Sequence, residues 1–573
     1  MQSSKARGNS GTGRRTNVKS GCRTCKIRKV KCDEGRPACR RCLSTGRVCD
    51  GYGVWGGGGN SYGQRQTPTA PAEARNGVTV RSPKHLPLLV VSVEEKECFD
   101  WFTRLTTVKL PGSFTSGFWT TLLLQASLSE QAILHAILAL SSVHRGGVLT
   151  NGNQRHGADT RRRRELFTLQ HYGEAIKHLQ PHFSASGTAA VRVALVACVV
   201  FVSVDLLRGH FRTAQTHLQS GLALLEELHK PGMSADDPVV LNLRHESTDD
   251  WITEALIRLH VQAVLWQPIR KCPSFVLQYD EPRLQVSMFS SLKEAWDEMD
   301  RLLIEVFRLT EQAREQKVHG GSLPHIPDMF EQQRQVQVGL VRWLDVYTRS
   351  RETLRNRKSI EEEKAYRLLC IYHSMVTIMA DVCLYPDDEM VFDLHTSAFV
   401  HLITQLVDLW ALSAPGHVPR ARSGRVVDMS RSIVDMGWIP PLYYVAIRCR
   451  VHRIRLLAIR LLGCTSHQEG FWDATIAARV ARKVMEVEEG DFYKDTDPAD
   501  DFQPSSYPST QDLSLPLIPD HQRLRDVEVV LLGNPLEKVL LSCVQRRDGV
   551  DCKIPIGEYH LASDRWVDTD KMG

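Results

Sequence analysis

The 573-residue chain carries no catalytic signature that stands up in its sequence context. It has no G-x-x-x-x-G-K-[ST] loop to cradle phosphates and no H-E-x-x-H zinc-protease helix, and its G-x-S-x-G match, Gly59-Asn-Ser-Tyr-Gly63, falls in a Gly-rich stretch without the apolar strand that a nucleophile elbow needs. Nor is there a stretch of about 18 uncharged apolar residues. The best approach to one, Val193 to Val204, is bracketed by Arg192 and Asp205. A membrane-spanning helix is therefore not expected. The N-terminus is basic and lacks the apolar segment of a secretory signal, which predicts an intracellular protein. That setting argues against a disulfide framework. No histidine falls between residues 22 and 49, where the cysteines crowd, so mixed cysteine–histidine fingers are excluded there.

What is present is unevenly placed. Residues 1–50 hold fourteen Lys or Arg against Asp33, Glu34 and Asp50, a net +11, which leaves the remainder at −5 for a chain total of +6. A basic head on a mildly acidic body points to a polyanionic partner for the head alone. Cysteine is as lopsided: six of the fifteen lie between positions 22 and 49. Cys98, Cys198, Cys370 and Cys449 sit singly in apolar, helix-like contexts and read as buried thiols.

The six read Cys22-x2-Cys25-x6-Cys32-x6-Cys39-x2-Cys42-x6-Cys49, two matching halves of C-x2-C-x6-C. Zinc takes four tetrahedral ligands, and closely spaced thiolates supply them. Two zinc ions need eight ligand places, which six sulfurs fill only if two of them bridge both ions. A single zinc on four cysteines ignores the internal symmetry, and an iron–sulfur cluster needs only four cysteines. Between Lys26 and Lys31 stand four basic residues, which a rigid metal core would hold in place. A short helix can offer such side chains to guanine O6 and N7 in the major groove. Arg23, Lys31, Arg36, Arg40 and Arg41 are better placed for phosphates. Too small to bury a core, the module should need its metal to fold.

The segment Gly21-Cys-Arg-Thr-Cys-Lys-Ile-Arg-Lys-Val-Lys-Cys-Asp-Glu-Gly-Arg-Pro-Ala-Cys-Arg-Arg-Cys42 resembles the DNA-binding domain of the fungal zinc binuclear-cluster transcription factors. The resemblance implies two Zn2+ ions, with Cys22 and Cys39 as bridging ligands. Cys25 and Cys32 would complete one zinc site, Cys42 and Cys49 the other. It further implies a short helix over Lys26–Lys31, with Lys29 and Arg28 reaching base edges of CGG-like triplets, and Pro37 shaping the loop between the halves. The implied partner is double-stranded promoter DNA read in the nucleus, with the transcription machinery or coactivators beyond it.

The rest of the chain divides by composition. Residues 1–19 are a polar, basic tail, 20–50 the cysteine module, and 51–91 a Gly/Pro-rich linker. The run Gly56–Gly59 lacks the GK[ST] and strand–helix context of a phosphate loop. From 92 to 490 the pattern is helical, giving a mainly α protein with a large all-helical domain. Ile133, Ala136, Ile137, Leu140 and Val143 recur at helical spacing, and further helices are expected over 171–182, 189–207, 290–315, 328–348, 360–384, 395–412, 441–463 and 470–489. This region resembles, more loosely, the helical regulatory domain of the same family. The resemblance rests on Ala139-Leu-Ser-Ser-Val-His144, Tyr172-Gly-Glu-Ala-Ile-Lys-His-Leu179, Leu206-Leu-Arg-Gly-His-Phe211, Gly437-Trp-Ile-Pro-Pro441 and Glu469-Gly-Phe-Trp-Asp473. Residues 491–525 form an acidic, then Pro-rich loop that could serve as an activation segment or simply be solvated. Within 526–573 only Val527–Leu532 reads as a strand.

Some features invite other readings. Arg448, Arg450, Arg453, Arg455 and Arg460 could form a second nucleic-acid contact, although the solvated side of an amphipathic helix explains them better. Arg161–Arg164 could aid nuclear import or occupy a surface loop. His135, His144, His171 and His178 fall on helical patterns where packing or surface roles are commoner than ligation. No heptads follow the cysteine module, so a dimer through a coiled coil is not supported; a monomer, or a homodimer through the helical body, fits instead. Rival functions are a zinc-module interaction scaffold and an enzyme with a fused zinc module. Target genes, inducing signal and the sign of regulation are not written in the residues, while control of a secondary-metabolite gene cluster is what family analogy suggests.

Overall fold

A computed structural model of the chain describes Cys25, Arg28, residues 30–33 and 39–45, and then 92–567. Within the latter, 115, 153–157, 184–187, 230–238, 244–247, 267–274, 280–286, 319–325, 356–358, 414–431, 465, 495–505 and 548–549 are not described. The expected tail 1–19 and linker 51–91 lie outside the described residues.

Where apolar residues return every three or four positions, helices form and bury that stripe. Gln131–Gly152 buries Ile133, Ala136, Ile137 and Leu140 against the helices Ala158–Phe183 and Thr188–Leu207. Phe211–His229, Thr248–Trp266, Leu292–Val318, Ile326–Arg349, Ile360–Val382, Thr396–Ser413 and Ala474–Glu489 continue the array. The first long helix starts at a reciprocal cap: Ser92 Oγ accepts from Glu95 N at 3.1 Å while Glu95 Oε2 accepts from Ser92 N at 2.7 Å. One contiguous apolar core runs from Cys98 to Leu561.

Three helical segments, Gln131–Leu149, Ala189–Leu207 and Glu389–Leu412, are long and apolar enough by length and composition to cross a membrane, contrary to expectation. The discrepancy arises because a helix tolerates an Arg192 or Asp205 within an apolar window. In the fold 89% of Ala189–Leu207 is buried inside the protein, so its apolarity serves the core.

The segments that carry the looser family resemblance are points where helices are tied together. Tyr172 hydroxyl meets Asp205 Oδ2 at 3.2 Å and His217 Nε2 at 2.9 Å. Ser141 Oγ donates to Cys98 O at 2.5 Å. Gly209, at φ +73°, turns the chain between two helices, and its carbonyl accepts from Leu536 N at 2.9 Å. Most telling is the meeting of Gly437–Pro441 with Glu469–Asp473. The buried Glu469 carboxylate accepts from Gly437 N at 2.9 Å and from Trp438 N and Ile439 N at 3.0 Å each. These are the unpaired N–H groups at the start of helix Ile439–Arg448, which has no side-chain cap of its own. His467 Nε2 lies 3.0 Å from the same carboxylate. A Cβ on Gly437 would sit 2.3 Å from Glu469 Oε1, so only glycine fits.

The helix expected over 441–463 is broken into Ile439–Arg448 and His452–Gly463 by extended residues at the junction. There Arg450, 3% exposed, and Arg455, fully buried, are neither solvated nor presented to a partner. Arg450 Nη2 lies 3.0 Å from both Glu389 and Glu488, and Arg455 Nη2 is 2.6 Å from Glu488. Arg448 also pairs with Glu389. Arg161–Arg164, by contrast, sit on the helix Ala158–Phe183, with Arg161–Arg163 exposed, rather than in a loop.

Beyond the array the chain is β-structured. Leu524–Gly533, Leu536–Arg547, Val550–His560 and Arg565–Val567 form a four-stranded antiparallel meander. Val529, Val539, Leu541 and Cys543 bury one face of it against the body. Leu524 N donates to Glu488 Oε1 at 2.8 Å, which ties the sheet to the buried ion network. The described part of 491–525 is docked as well: Tyr493 hydroxyl donates to Pro516 O at 2.7 Å, and Arg523 Nη2 meets Asp393 Oδ2 at 2.7 Å. A short parallel pair, Val239–Leu243 with Phe275–Tyr279, spans the helix Thr248–Trp266.

Candidate metal centre and nucleic-acid interface

Four of the six expected ligands, Cys25, Cys32, Cys39 and Cys42, are described, and all are buried in one cluster to which Val30 adds an apolar cover. Cys22 and Cys49 lie outside the described residues, as do Arg23, Lys26 and Lys29. Cys39 precedes the four-residue helix Arg40–Leu43 and Cys42 lies within it, so C-x2-C puts two sulfurs on one side of a helical turn.

Cys25 Sγ is 3.6 Å from Cys39 Sγ and 3.9 Å from Cys42 Sγ. A disulfide would bring the atoms to about 2.05 Å. Tetrahedral zinc with bonds of about 2.3 Å places its sulfurs about 3.8 Å apart, which these separations bracket. The sulfurs of Cys25, Cys32 and Cys39 all lie within 4.8 Å of one another. Among the described residues no other group of three ligating side chains is as close. Sulfurs 14 and 17 positions apart thus converge on a space that suits a tetrahedral, thiolate-binding cation. Zinc is the ion that fits this donor set.

The surroundings suit charged sulfur. Cys42 N–H points at Cys39 Sγ at 3.3 Å, the kind of contact that orients a metal-bound thiolate. Sequence reasoning counted Asp33 only as a charge, yet it braces the module. Its Oδ2 accepts from Arg40 N at 2.9 Å and its Oδ1 from Arg41 N at 3.0 Å, at the start of the second half's helix. The position right after a ligand cysteine was the available signal. Thr45 Oγ1 donates to Arg41 O at 2.8 Å and accepts from Arg28 Nη1 at 3.2 Å, joining the two halves.

Of the expected DNA-contacting residues, Lys31, Arg40 and Arg41 are exposed beside the cluster, while Arg28 is half-buried. Exposed cations held on a rigid core suit phosphate contact. The lone cysteines elsewhere differ in character: burial pushes the thiols of Cys98 and Cys449 up to about 11 and that of Cys198 to about 12. The histidines singled out earlier pack within the body. His135 Nδ1 and His171 Nδ1 are 2.8 Å apart, and burial with neighbouring histidines holds His135 down to about 4.

Comparison with known proteins agrees with this site. Residues 20–54 match the fungal Zn(2)-Cys(6) binuclear cluster domain, and residues 102–383 match the fungal specific transcription factor domain. The chain is 24% identical over 556 residues to the aspercryptin biosynthesis cluster-specific transcription regulator atnN of Emericella nidulans, covering 82% of this chain and 87% of that protein. It is 30% identical over 222 residues to the transcription regulator lscL of Purpureocillium lilacinum, covering 35% of this chain and 48% of that one. Over 41 residues it is 54% identical to the transcriptional regulatory protein moc3 of Schizosaccharomyces pombe, which is 7% of this chain and 8% of the relative. No solved structure matches. With a zinc-binding cysteine cluster at one end and a large helical domain behind it, the chain belongs to the fungal zinc-cluster transcription factors, a DNA-binding regulator of transcription rather than an enzyme.

Proposed function

We propose that the six cysteines hold two zinc ions in one cluster, with Cys22 and Cys39 shared between them, and that the cluster reads CGG-like triplets in promoter DNA. The observation that supports this most is the convergence of buried sulfurs from both halves, 3.6 and 3.9 Å from Cys25. A single ion on Cys25, Cys32, Cys39 and Cys42 would leave Cys22 and Cys49 without a role. Zinc organises the thiolates and fixes the fold, and the protein's own cations do the reading. Lys29 and Arg28 read base edges, with Lys26 in the same basic stretch and Arg28 Nη1 also donating to Thr45 Oγ1, and Arg23, Lys31, Arg40 and Arg41 take phosphates. Domain limits follow the composition: module 20–50, linker 51–91, helical body from 92.

Promoter recognition places the protein in the nucleus, where it acts on RNA polymerase II transcription through coactivators. The relative named for a biosynthesis cluster supports control of a secondary-metabolite gene cluster. The residues after the module carry no a/d heptads, so the chain binds as a monomer or pairs through its helical body. Selection from random duplexes by the full chain, with zinc and with a chelator, tests the reading. Enrichment of a G/C-rich triplet only with zinc is expected. No enrichment by zinc-loaded protein would refute DNA reading and favour an interaction scaffold.

A further inference from the structure

We propose that the outward face of the helix Ala158–Phe183 is a self-association surface, on which a second copy of this chain packs its own Ala158–Phe183 antiparallel about a two-fold axis. One side of this helix faces the core. Phe167, Thr168, His171, Ala175 and Leu179 are buried there, against the helices Gln131–Gly152 and Thr188–Leu207. The opposite side of a helix that meets only water is expected to be polar. Here it carries Leu166, Leu169, Ile176 and Phe183, each 39 to 65% exposed.

The spacing and shape of this face fit a copy of itself. Leu166, Leu169, Gly173, Ile176, Gln180 and Phe183 follow one another at steps of three or four, the a/d pattern of a helix seam. This run lies in the helical body, far along the chain from the cysteine module. Gly173 leaves a notch in the seam, since a Cβ there would meet nothing within 4 Å. An antiparallel pair in heptad register sets Ile176 against Gly173 of the second copy, and Leu166 against Phe183. Each branched Ile176 side chain then enters a notch, and each end of the seam is closed by two apolar residues.

Charge sets the direction of pairing. Arg161, Arg162 and Arg163 are exposed in the first turns of the helix, the end where its own dipole is positive and disfavours cations. In a parallel pair the two arginine runs would lie side by side and repel. Antiparallel pairing carries each run to the C-terminal end of the other helix, where unpaired carbonyls favour cations. The area is adequate as well. The four apolar side chains expose about 400 Å² per copy, the size of the largest patches on soluble monomers, which are often functional. Pairing covers about 800 Å² from these residues alone, and their flanks bring the total to the ~1,000 Å² of a specific interface. The inference decides between the monomer and the pair that the proposed DNA reading leaves open. It does not rest on that reading, because self-association is measured without DNA.

Sedimentation equilibrium of the full chain without DNA tests the proposal. The wild type should show a concentration-dependent dimer. Leu166→Lys and Phe183→Glu alter exposed residues, so each should fold, which circular dichroism checks. Each should weaken association about tenfold or more by placing a charge in the apolar seam. Mixing the two variants in equal amounts should restore a dimer, because antiparallel pairing sets the new cation against the new anion at one end and keeps Leu166 against Phe183 at the other. Should either variant fail to fold, I176E, on the same exposed face, takes its place in the association measurement. A wild type that stays monomeric at every concentration, variants that associate as the wild type does, or a mixture that does not recover overturns the proposal. A monomeric wild type that still enriches a triplet with zinc would leave the DNA reading intact.

Discussion

Replacing Glu469 by alanine removes the acceptor for three backbone N–H groups at 2.9, 3.0 and 3.0 Å and the partner of His467 at 3.0 Å. The residue is 1% exposed, so water cannot take its place without rearrangement. Hydrogen bonds to a charged group contribute about 1.5–3 kcal/mol each, but the carboxylate's own desolvation offsets much of their sum. Breaking one side of a buried charged network costs about 3–5 kcal/mol, and a lost helix cap alone about 0.5–2 kcal/mol. We therefore expect E469A to lose about 3–4 kcal/mol, a large share of the roughly 5–15 kcal/mol that holds a domain together. E469Q should recover little, because its amide N–H2 would replace one acceptor oxygen and face either Gly437 N and Ile439 N or Trp438 N. Gly437→Ala should behave similarly, since its Cβ would meet Glu469 Oε1 at 2.3 Å. Urea unfolding of the full chain followed by tryptophan fluorescence reads the effect, with Trp438 and Trp472 flanking the site. A loss under about 1 kcal/mol in E469A, or wild-type stability in E469Q, would refute the argument that a charge at this helix start fixes the junction.

Further outcomes follow from the same structure. Cys25→Ala should lower zinc content and abolish specific DNA binding; unchanged zinc by atomic absorption would contradict its role as a ligand. Lys29→Ala should keep zinc but lose preference for the selected sequence over scrambled DNA, measured by fluorescence anisotropy. Asp33→Ala should weaken zinc retention against a chelator without abolishing it, because the carboxylate only caps the helix that carries Cys42. Burial, with Lys109 nearby, holds His144 down to about 4, so the unfolded chain binds a proton there before the folded one does. Stability from His144 is therefore lost as pH falls from about 6.5 towards 4. Glu130, raised by burial to about 7, works in the opposite sense, so the check is a comparison: His144→Gln should show a shallower fall in urea midpoint from pH 7 to 5 than the wild type.

Long helices were legible because their apolar period repeats without interruption, as in Thr188–Leu207 and Ile360–Val382. Lost from view was whatever depends on a distant partner. Arg450 and Arg455 read as a basic surface until Glu389 and Glu488 supply their charges across the fold. The same partners explain why one expected helix is two. The C-terminal meander alternates Val539, Leu541 and Cys543 inward, but Lys538, Arg546, Arg547, Lys553 and Pro555 dilute the pattern in sequence. At the cysteine module the reverse holds: ligand spacing is local and strict, so the sulfur cluster was readable, whereas Asp33 and Thr45 act through backbone groups that no side-chain pattern reveals.

Zinc titration into metal-stripped full-length protein, followed by anisotropy of a labelled duplex carrying the selected triplet, addresses the cluster most directly. Specific binding should rise and saturate at two equivalents of zinc per chain. Saturation at one equivalent, or specific binding that ignores zinc, would contradict a two-zinc, six-cysteine centre as the DNA-reading element.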